Sequence, residues 1–150
     1  MNSIELKFRR SAEIAQALRS RHSTGRHFHT TTVFNKNKIL AIGVNDYNRS
    51  HPLAVKYRKK EVWNDYYPSI HSELSAILKL GLEDCSDLTF FNIRVDKFGN
   101  ICNSKPCSGC SELLKQIGFK KLYYSINNLN YSEFVLNNIE KTDVGRMKVF

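Results

Sequence analysis

The chain has 150 residues and a mass of 17.4 kDa, with 41% hydrophobic residues, 25% charged residues and a mean hydropathy of -0.42. This composition fits one globular domain over 1–150 with a core that needs no disulfide staples, and it excludes collagen-like and disordered classes. The 23 Lys and Arg against 14 Asp and Glu give a net charge of +9, which favours anionic partners such as nucleotides or nucleic acid and says nothing of fold.

From Ser3 to about Arg19, Ile4, Leu6, Phe8, Ile14, Ala15 and Leu18 recur between charges at helical spacing and predict a first helix. No run of apolar residues approaches the roughly 18–20 that a membrane helix needs, and Met1 to Arg10 leads into Ser11-Ala12-Glu13 instead of an apolar signal core. A cytoplasmic, reducing setting without membrane association is therefore expected. There the four cysteines serve as ligands, reactive groups or core residues in preference to disulfides.

Arg19 to His29 is a basic loop around Gly25, carrying Arg19, Arg21, His22, Arg26, His27 and His29. Thr30 to Asn35 and Ile39 to Val44 are β-type runs around the turn chemistry of Asn35 to Lys38 and predict a hairpin. The polar, aromatic and basic stretch from Asn45 to Pro68 reads as a long loop, of the kind that is usually functional or partly structured. Helical spacing returns from Ile70 to Leu80 through Leu74, Ile77 and Leu78, with Gly81 at the expected position after the helix.

Leu88 to Val95 alternates as a strand, and Asp96 to Asn100 turns the chain toward Ile101. A further helix is predicted from about Ser108 to Ile117, stopping at Gly118, and a strand from Lys120 to Ile126. After the turn at Asn127 to Asn130, Tyr131 to Leu136 is read as the returning strand of a hairpin. The competing reading is a short helix capped by Ser132 and a last strand at Arg146 to Phe150. Helices interleaved with strands in this order predict a three-layer α/β/α domain around a central mixed sheet of about five strands.

Two short motifs carry chemistry. His71-Ser72-Glu73 opens one predicted helix, and Pro106-Cys107-Ser108-Gly109-Cys110 opens another. A Cys-x-x-Cys at a helix N-terminus puts two sulfurs on one face, where the positive end of the helix favours thiolates. Two thiolates and one imidazole make a three-ligand zinc site whose fourth position is open for water, the mark of a catalytic metal. Taken alone, the cysteine pair also fits half of a zinc ribbon or a redox dithiol. A ribbon needs a second pair, and Cys85 and Cys102 lie too far apart in sequence to supply one. Glu73 is either the acid–base group for water activated at the metal or a first-turn glutamate that complements the helix dipole, and both roles are compatible.

His71-x-Glu73 followed by Pro106-Cys107-x-x-Cys110 resembles the signature of the zinc-dependent cytidine and deoxycytidylate deaminase superfamily. The likeness is strongest from about Ile70 to Ser125, and the one departure, Ser72 where Ala is usual, leaves the ligand set intact. The resemblance implies a cytidine-deaminase-like fold in which His71, Cys107 and Cys110 hold Zn²⁺. It further implies that Glu73 moves protons while hydroxide attacks the amino-bearing ring carbon, with backbone N–H groups near Ser72 and Cys107 stabilising the developing charge. Asn45, at the end of Gly43-Val44-Asn45, matches the position where such deaminases place an Asn on the substrate sugar; otherwise it is an ordinary turn residue. Tyr47, Trp63, Tyr66, Tyr67 and Phe28 are candidates to pack on a base, although aromatics more often belong to the core. Cys85 and Cys102 are expected to be core or surface thiols and His51 a polar loop residue, with a second zinc site built from His51 and one of these thiols as the alternative.

Three functions follow. The first is hydrolytic deamination of a cytosine-type base in a free nucleotide or nucleoside such as deoxycytidylate, with the basic loops at Arg19 to Arg26 and Lys56 to Lys60 on the phosphate. The second is a deaminase of single-stranded DNA or RNA, favoured by the charge and by the interleaved Lys56, Tyr57, Arg58, Lys59, Lys60, Trp63, Tyr66 and Tyr67. The third is a non-catalytic zinc module that binds nucleic acid or protein. A homo-oligomer is expected from the resemblance alone.

Overall fold

The computed structural model describes residues 3–21, 27–58, 69–81 and 85–135. In chain order its elements are Ser3–Arg21 (α1), Phe28–Asn35 (β1), Lys38–Val44 (β2), Pro52–Arg58 (α2), Ser72–Lys79 (α3), Thr89–Val95 (β3), Ile101–Cys102 (β4), Ser108–Ile117 (α4), Lys121–Ser125 (β5) and Tyr131–Glu133 (β6). The strands form one mixed sheet in the order β2-β1-β3-β5-β6, with β4 beside β3. The pair β3–β5 is parallel and the others are antiparallel.

Period-two alternation along the buried strands sends neighbouring residues to opposite faces, so each strand feeds two cores. On one face Phe34, Phe91, Ile93, Val95 and Ile101 pack against Phe8 and Ala15 of α1. On the other face Val33, Phe90 and Leu122 pack against Ala54 of α2, Leu74, Ala76 and Ile77 of α3, and Leu113 and Leu114 of α4. The three-layer expectation holds. The sixth strand, β4, is a two-residue return after the Asp96 turn, in which Asp96 Oδ1 accepts from the N–H groups of Phe98 and Asn100.

Three local differences have physical causes. The stretch read as one long loop contains α2, whose seven residues are too few to show helical periodicity. Pro52 starts it, and His51 Nδ1 accepts from the Leu53 N–H at 3.0 Å as a helix cap. The next helix begins at Ser72 instead of Ile70, because Ile70 pairs with Asp46 in a β-bridge. Gly81 takes the left-handed conformation expected after it, with φ of 80°. In the tail, β6 pairs with β5 as a hairpin, and the competing strand at 146–150 lies outside the described residues.

Candidate active site

The two motifs end up at two helix starts that face each other. His71 and Cys107 are the N-cap residues of α3 and α4, both with extended backbone, at φ -82° and ψ 163° and at φ -71° and ψ 169°. The His71 side chain makes no capping bond, which leaves the imidazole for another task. Cys107 Sγ accepts from the Cys110 N–H at 3.3 Å, which sets the two cysteines of the first turn on one side.

Their donor atoms converge. His71 Nδ1 lies 3.5 Å from Cys107 Sγ and 3.4 Å from Cys110 Sγ, and all three ligand atoms fall within 4.8 Å of one another. Tetrahedral Zn²⁺, with Zn–N about 2.0–2.1 Å and Zn–S about 2.3 Å, places N and S about 3.6 Å apart, so the donor set fits this metal. Hydrogen bonding from the Cys110 side chain, followed by the effect of His71, brings the Cys107 thiol down to about 5 against the opposing effect of burial. Among the described residues this is the one cluster of three metal-donor side chains.

Glu73 stands beside this cluster without joining it. It is 5% exposed, and burial pushes its carboxyl above the usual carboxylate range, with His71 opposing the shift and Cys107 adding to it. Asn92 Nδ2 donates to Glu73 Oε2 at 2.8 Å, and the Thr31 hydroxyl, 2.8 Å from Ser72 Oγ, donates to Asn92 Oδ1 at 2.8 Å. A cavity of about 160 Å³ opens over the site. His71, Ser72, Glu73 and Cys107 line it together with His29, Asn45, Tyr47, Ser104 and Lys105.

Asn45 and Tyr47 thus share the cavity with the two motifs, and their polar atoms have further work. Asn45 Oδ1 accepts from the His29 N–H at 3.0 Å, its Nδ2 donates to the His27 carbonyl at 3.1 Å, and Tyr47 Oη donates to the same carbonyl at 2.9 Å. His29 faces Arg94 across the β1–β3 ladder and stays neutral, its pKa lowered to about 3 by burial and then by Arg94, His71 and His27.

Phe28 is corrected: at the head of β1 it is 2% exposed and does not line the cavity, and the Arg19 guanidinium of α1 lies 6.0 Å from its ring centroid. Cys85 is a core thiol, while half-buried Cys102 has its Sγ 3.9 Å from Asp96 Oδ2. Neither joins His51, which caps α2. Trp63, Tyr66, Tyr67, Lys59, Lys60 and most of the basic loop at 22–26 lie outside the described residues. The residues that sequence reasoning missed are Thr31, Asn92, His29, Ser104 and Lys105. Of these, Asn92 alone left a signal, as an amide inside the apolar run Phe90-Phe91-Asn92-Ile93.

The model of the cytidine and deoxycytidylate deaminase zinc-binding region matches residues 7–126. No curated protein matches the chain in sequence. Among solved structures, the dCMP deaminase of the cyanophage S-TIM5 in complex with dCMP and dUMP is 22% identical, covering 83% of this chain and 82% of that chain with a TM-score of 0.52. The apo form of the same phage enzyme is 21% identical over 84% of this chain and 86% of that chain, with a TM-score of 0.48. At 22% identity the likeness to the nucleotide complex is one of fold.

Proposed function

Because this chain belongs to the cytidine and deoxycytidylate deaminase zinc-binding family, we propose that it hydrolyses the amino group of a cytosine-type base, with free deoxycytidylate as its substrate. The observation that carries this reading is the meeting of His71, Cys107 and Cys110 beside a buried Glu73 at one small cavity. A Zn²⁺ ion held by His71, Cys107 and Cys110 would supply Lewis acidity and make water a nucleophile at neutral pH.

The remaining steps belong to the chain. Glu73 takes one proton from water as the oxygen adds to C4 and passes it to N3, then takes the remaining proton from the new C4 hydroxyl and hands it to the amine as the C4–N bond breaks. Cytosine and water become uracil and ammonia, and Glu73 ends as it began. Burial raises the Glu73 carboxyl above its ordinary range, which makes it a stronger proton acceptor than a solvated carboxylate. The N–H groups at the starts of α3 and α4, near Ser72 and Cys107, face the charge that develops on the base.

The cavity, well under the roughly 300–1,000 Å³ of pockets for drug-sized ligands, suits a single base with sugar and phosphate toward its rim. There Asn45 has a second amide hydrogen to offer the sugar beyond the one donated to His27. Lys105, exposed on the cavity wall, offers a cation to the phosphate. A reducing, cytoplasmic setting belongs to this reading, because the metal needs both cysteines as thiolates and none of the four cysteines forms a disulfide. A homo-oligomer is part of the proposal and rests on the family alone. Among the described residues no helix is long and apolar enough to cross a membrane.

The test is ammonia release by zinc-loaded protein from dCMP, cytidine, deoxycytidine, cytosine, single-stranded DNA and RNA. Turnover of dCMP above all others, with weak dependence on salt, is expected. Activity on polymer alone that collapses with added salt makes the protein a nucleic-acid deaminase. One zinc per chain without ammonia from any substrate makes it a non-catalytic zinc module.

A further inference from the structure

Asn92 sits in mid-β3, 2% exposed, on the sheet face covered by α3. Directly across the ladder from it is Thr31 of β1, fully buried. The Thr31 hydroxyl donates to Asn92 Oδ1 at 2.8 Å, which identifies the oxygen end of the amide and turns its nitrogen toward Glu73. From there Nδ2 donates to Glu73 Oε2 at 2.8 Å, whereas the other carboxylate oxygen has Ser72 Oγ at the longer distance of 3.4 Å. The main chain of the same residue reaches the second motif. Its carbonyl accepts from Ser104 Oγ at 2.7 Å, and Ser104 precedes Cys107 by three residues in a loop that also bonds to Ser125 of β5.

We propose that Asn92, oriented by Thr31, is the positioning residue for Glu73: it holds Oε2 so that Oε1 is the oxygen presented to the reacting atoms. A glutamate side chain has three rotatable bonds, and a proton shuttle that wanders by an ångström loses much of its rate. The bond from Asn92 is short, buried and made to an ionisable group, the kind that holds geometry best. Its Ser104 contact ties that carboxylate to the strand and loop that deliver Cys107, so one residue registers the proton carrier against a ligand loop. An aspartate at 92 would have nearly the same shape without the N–H donor, which separates hydrogen bonding from packing. This inference rests on the deaminase reading, and the tests below tell the two apart.

With zinc-loaded protein and dCMP, Asn92→Ala and Asn92→Asp are expected to lower kcat about 10- to 100-fold with KM within a few-fold of wild type, since a hydrogen bond to a charged group is lost. Zinc stays at wild-type stoichiometry, and the visible spectrum of the Co²⁺-substituted protein is unchanged, because the ligands are untouched. Thr31→Val lowers kcat about 3- to 10-fold. Since Thr31 acts through Asn92, the double variant is no slower than Asn92→Ala alone, within about a factor of 2. Crystals of Asn92→Ala would show the Glu73 carboxylate displaced, a readout that needs no turnover and serves even if wild type proves inactive on every substrate. Thr31→Val supplies the kinetic test if Asn92→Ala does not fold. The proposal is overturned by an unmoved carboxylate, by a change confined to KM, by loss of metal, or by effects of the two substitutions that simply multiply. Wild-type protein that releases no ammonia from any substrate counts instead against the deaminase reading.

Discussion

Gly43 of β2 lies so close to Ala76 of α3 that no side chain fits between them. A Cβ on Gly43 would overlap the Ala76 amide nitrogen and the Ser72 carbonyl oxygen, and would stand 2.9 Å from Ala76 Cα. These are backbone atoms of the helix that carries Glu73, and they cannot step aside without moving it. Ser75 and Lys79 lock the same seam, the first accepting from the Val44 N–H at 3.3 Å and the second donating to the Ile42 carbonyl at 2.6 Å. Gly43→Ala is therefore expected to cost about 1–3 kcal/mol of stability, the usual cost of overpacking. It should also lower zinc occupancy, because His71 rides on the displaced helix start. Urea unfolding and metal analysis check this, and a wild-type midpoint with full zinc would mean that the seam is looser than its distances.

Glu73 and His71 are two residues apart yet are expected to fail differently. Removing the carboxylate by Glu73→Ala should leave zinc bound, since the three donor atoms already meet without it. Deamination of dCMP should fall by about 10²- to 10⁴-fold or more, the range typical of a lost general acid–base group. Glu73→Gln keeps the shape and should be as inactive, which assigns the loss to proton transfer. Loss of metal from either variant would move Glu73 from proton carrier to structural support for the ligands.

Much of this was legible in the sequence, for identifiable reasons. Spacing alone brought His71-x-Glu73 and Cys107-x-x-Cys110 to two helix starts, because metal ligands and helix signals are both local. The layers followed from runs such as Thr30 to Asn35 and Leu88 to Val95, whose buried faces repeat every second residue. The support of Glu73 was not legible. Thr31 is one of three consecutive threonines whose β-branched shape already suits a strand, so nothing marks the middle one as facing Asn92. Register between β1 and β3 links residues 61 apart, and no local pattern encodes it. The helix α2 was missed for the opposite reason, being local but too short to declare a period.

A chelator strong enough to strip Zn²⁺ should abolish deamination and lower Tm, because a ligand bound only by the folded state stabilises it by mass action. Stoichiometric Zn²⁺ should restore both. Cys107→Ser should weaken retention markedly: Cys107 lies in the low-pKa environment set by Cys110 and His71, and it also caps α4. Full activity in protein shown by elemental analysis to be metal-free would remove zinc from the chemistry.

Burial of His29 makes the fold sensitive to acid. In the folded chain its pKa is lowered to about 3 by burial and by Arg94, while in the unfolded chain it returns to the ordinary value of 6.5. Above pH 6.5 the ring is neutral in both states and contributes no pH dependence. As pH falls below 6.5 the unfolded chain binds a proton that the folded chain refuses, so stability drops, with a slope approaching about 1.4 kcal/mol per pH unit, until the folded ring titrates near pH 3. Metal-free protein isolates this effect from proton competition at the zinc ligands. Between pH 7.5 and 5, wild type should lose about 1–2 kcal/mol more than His29→Asn in paired urea titrations. Other groups, including His27, whose pKa burial and Arg94 also lower, act in both proteins and cancel in the difference. Parallel stability curves for the two proteins would mean that His29 is solvated in solution and that the wall of the cavity it forms is open to water.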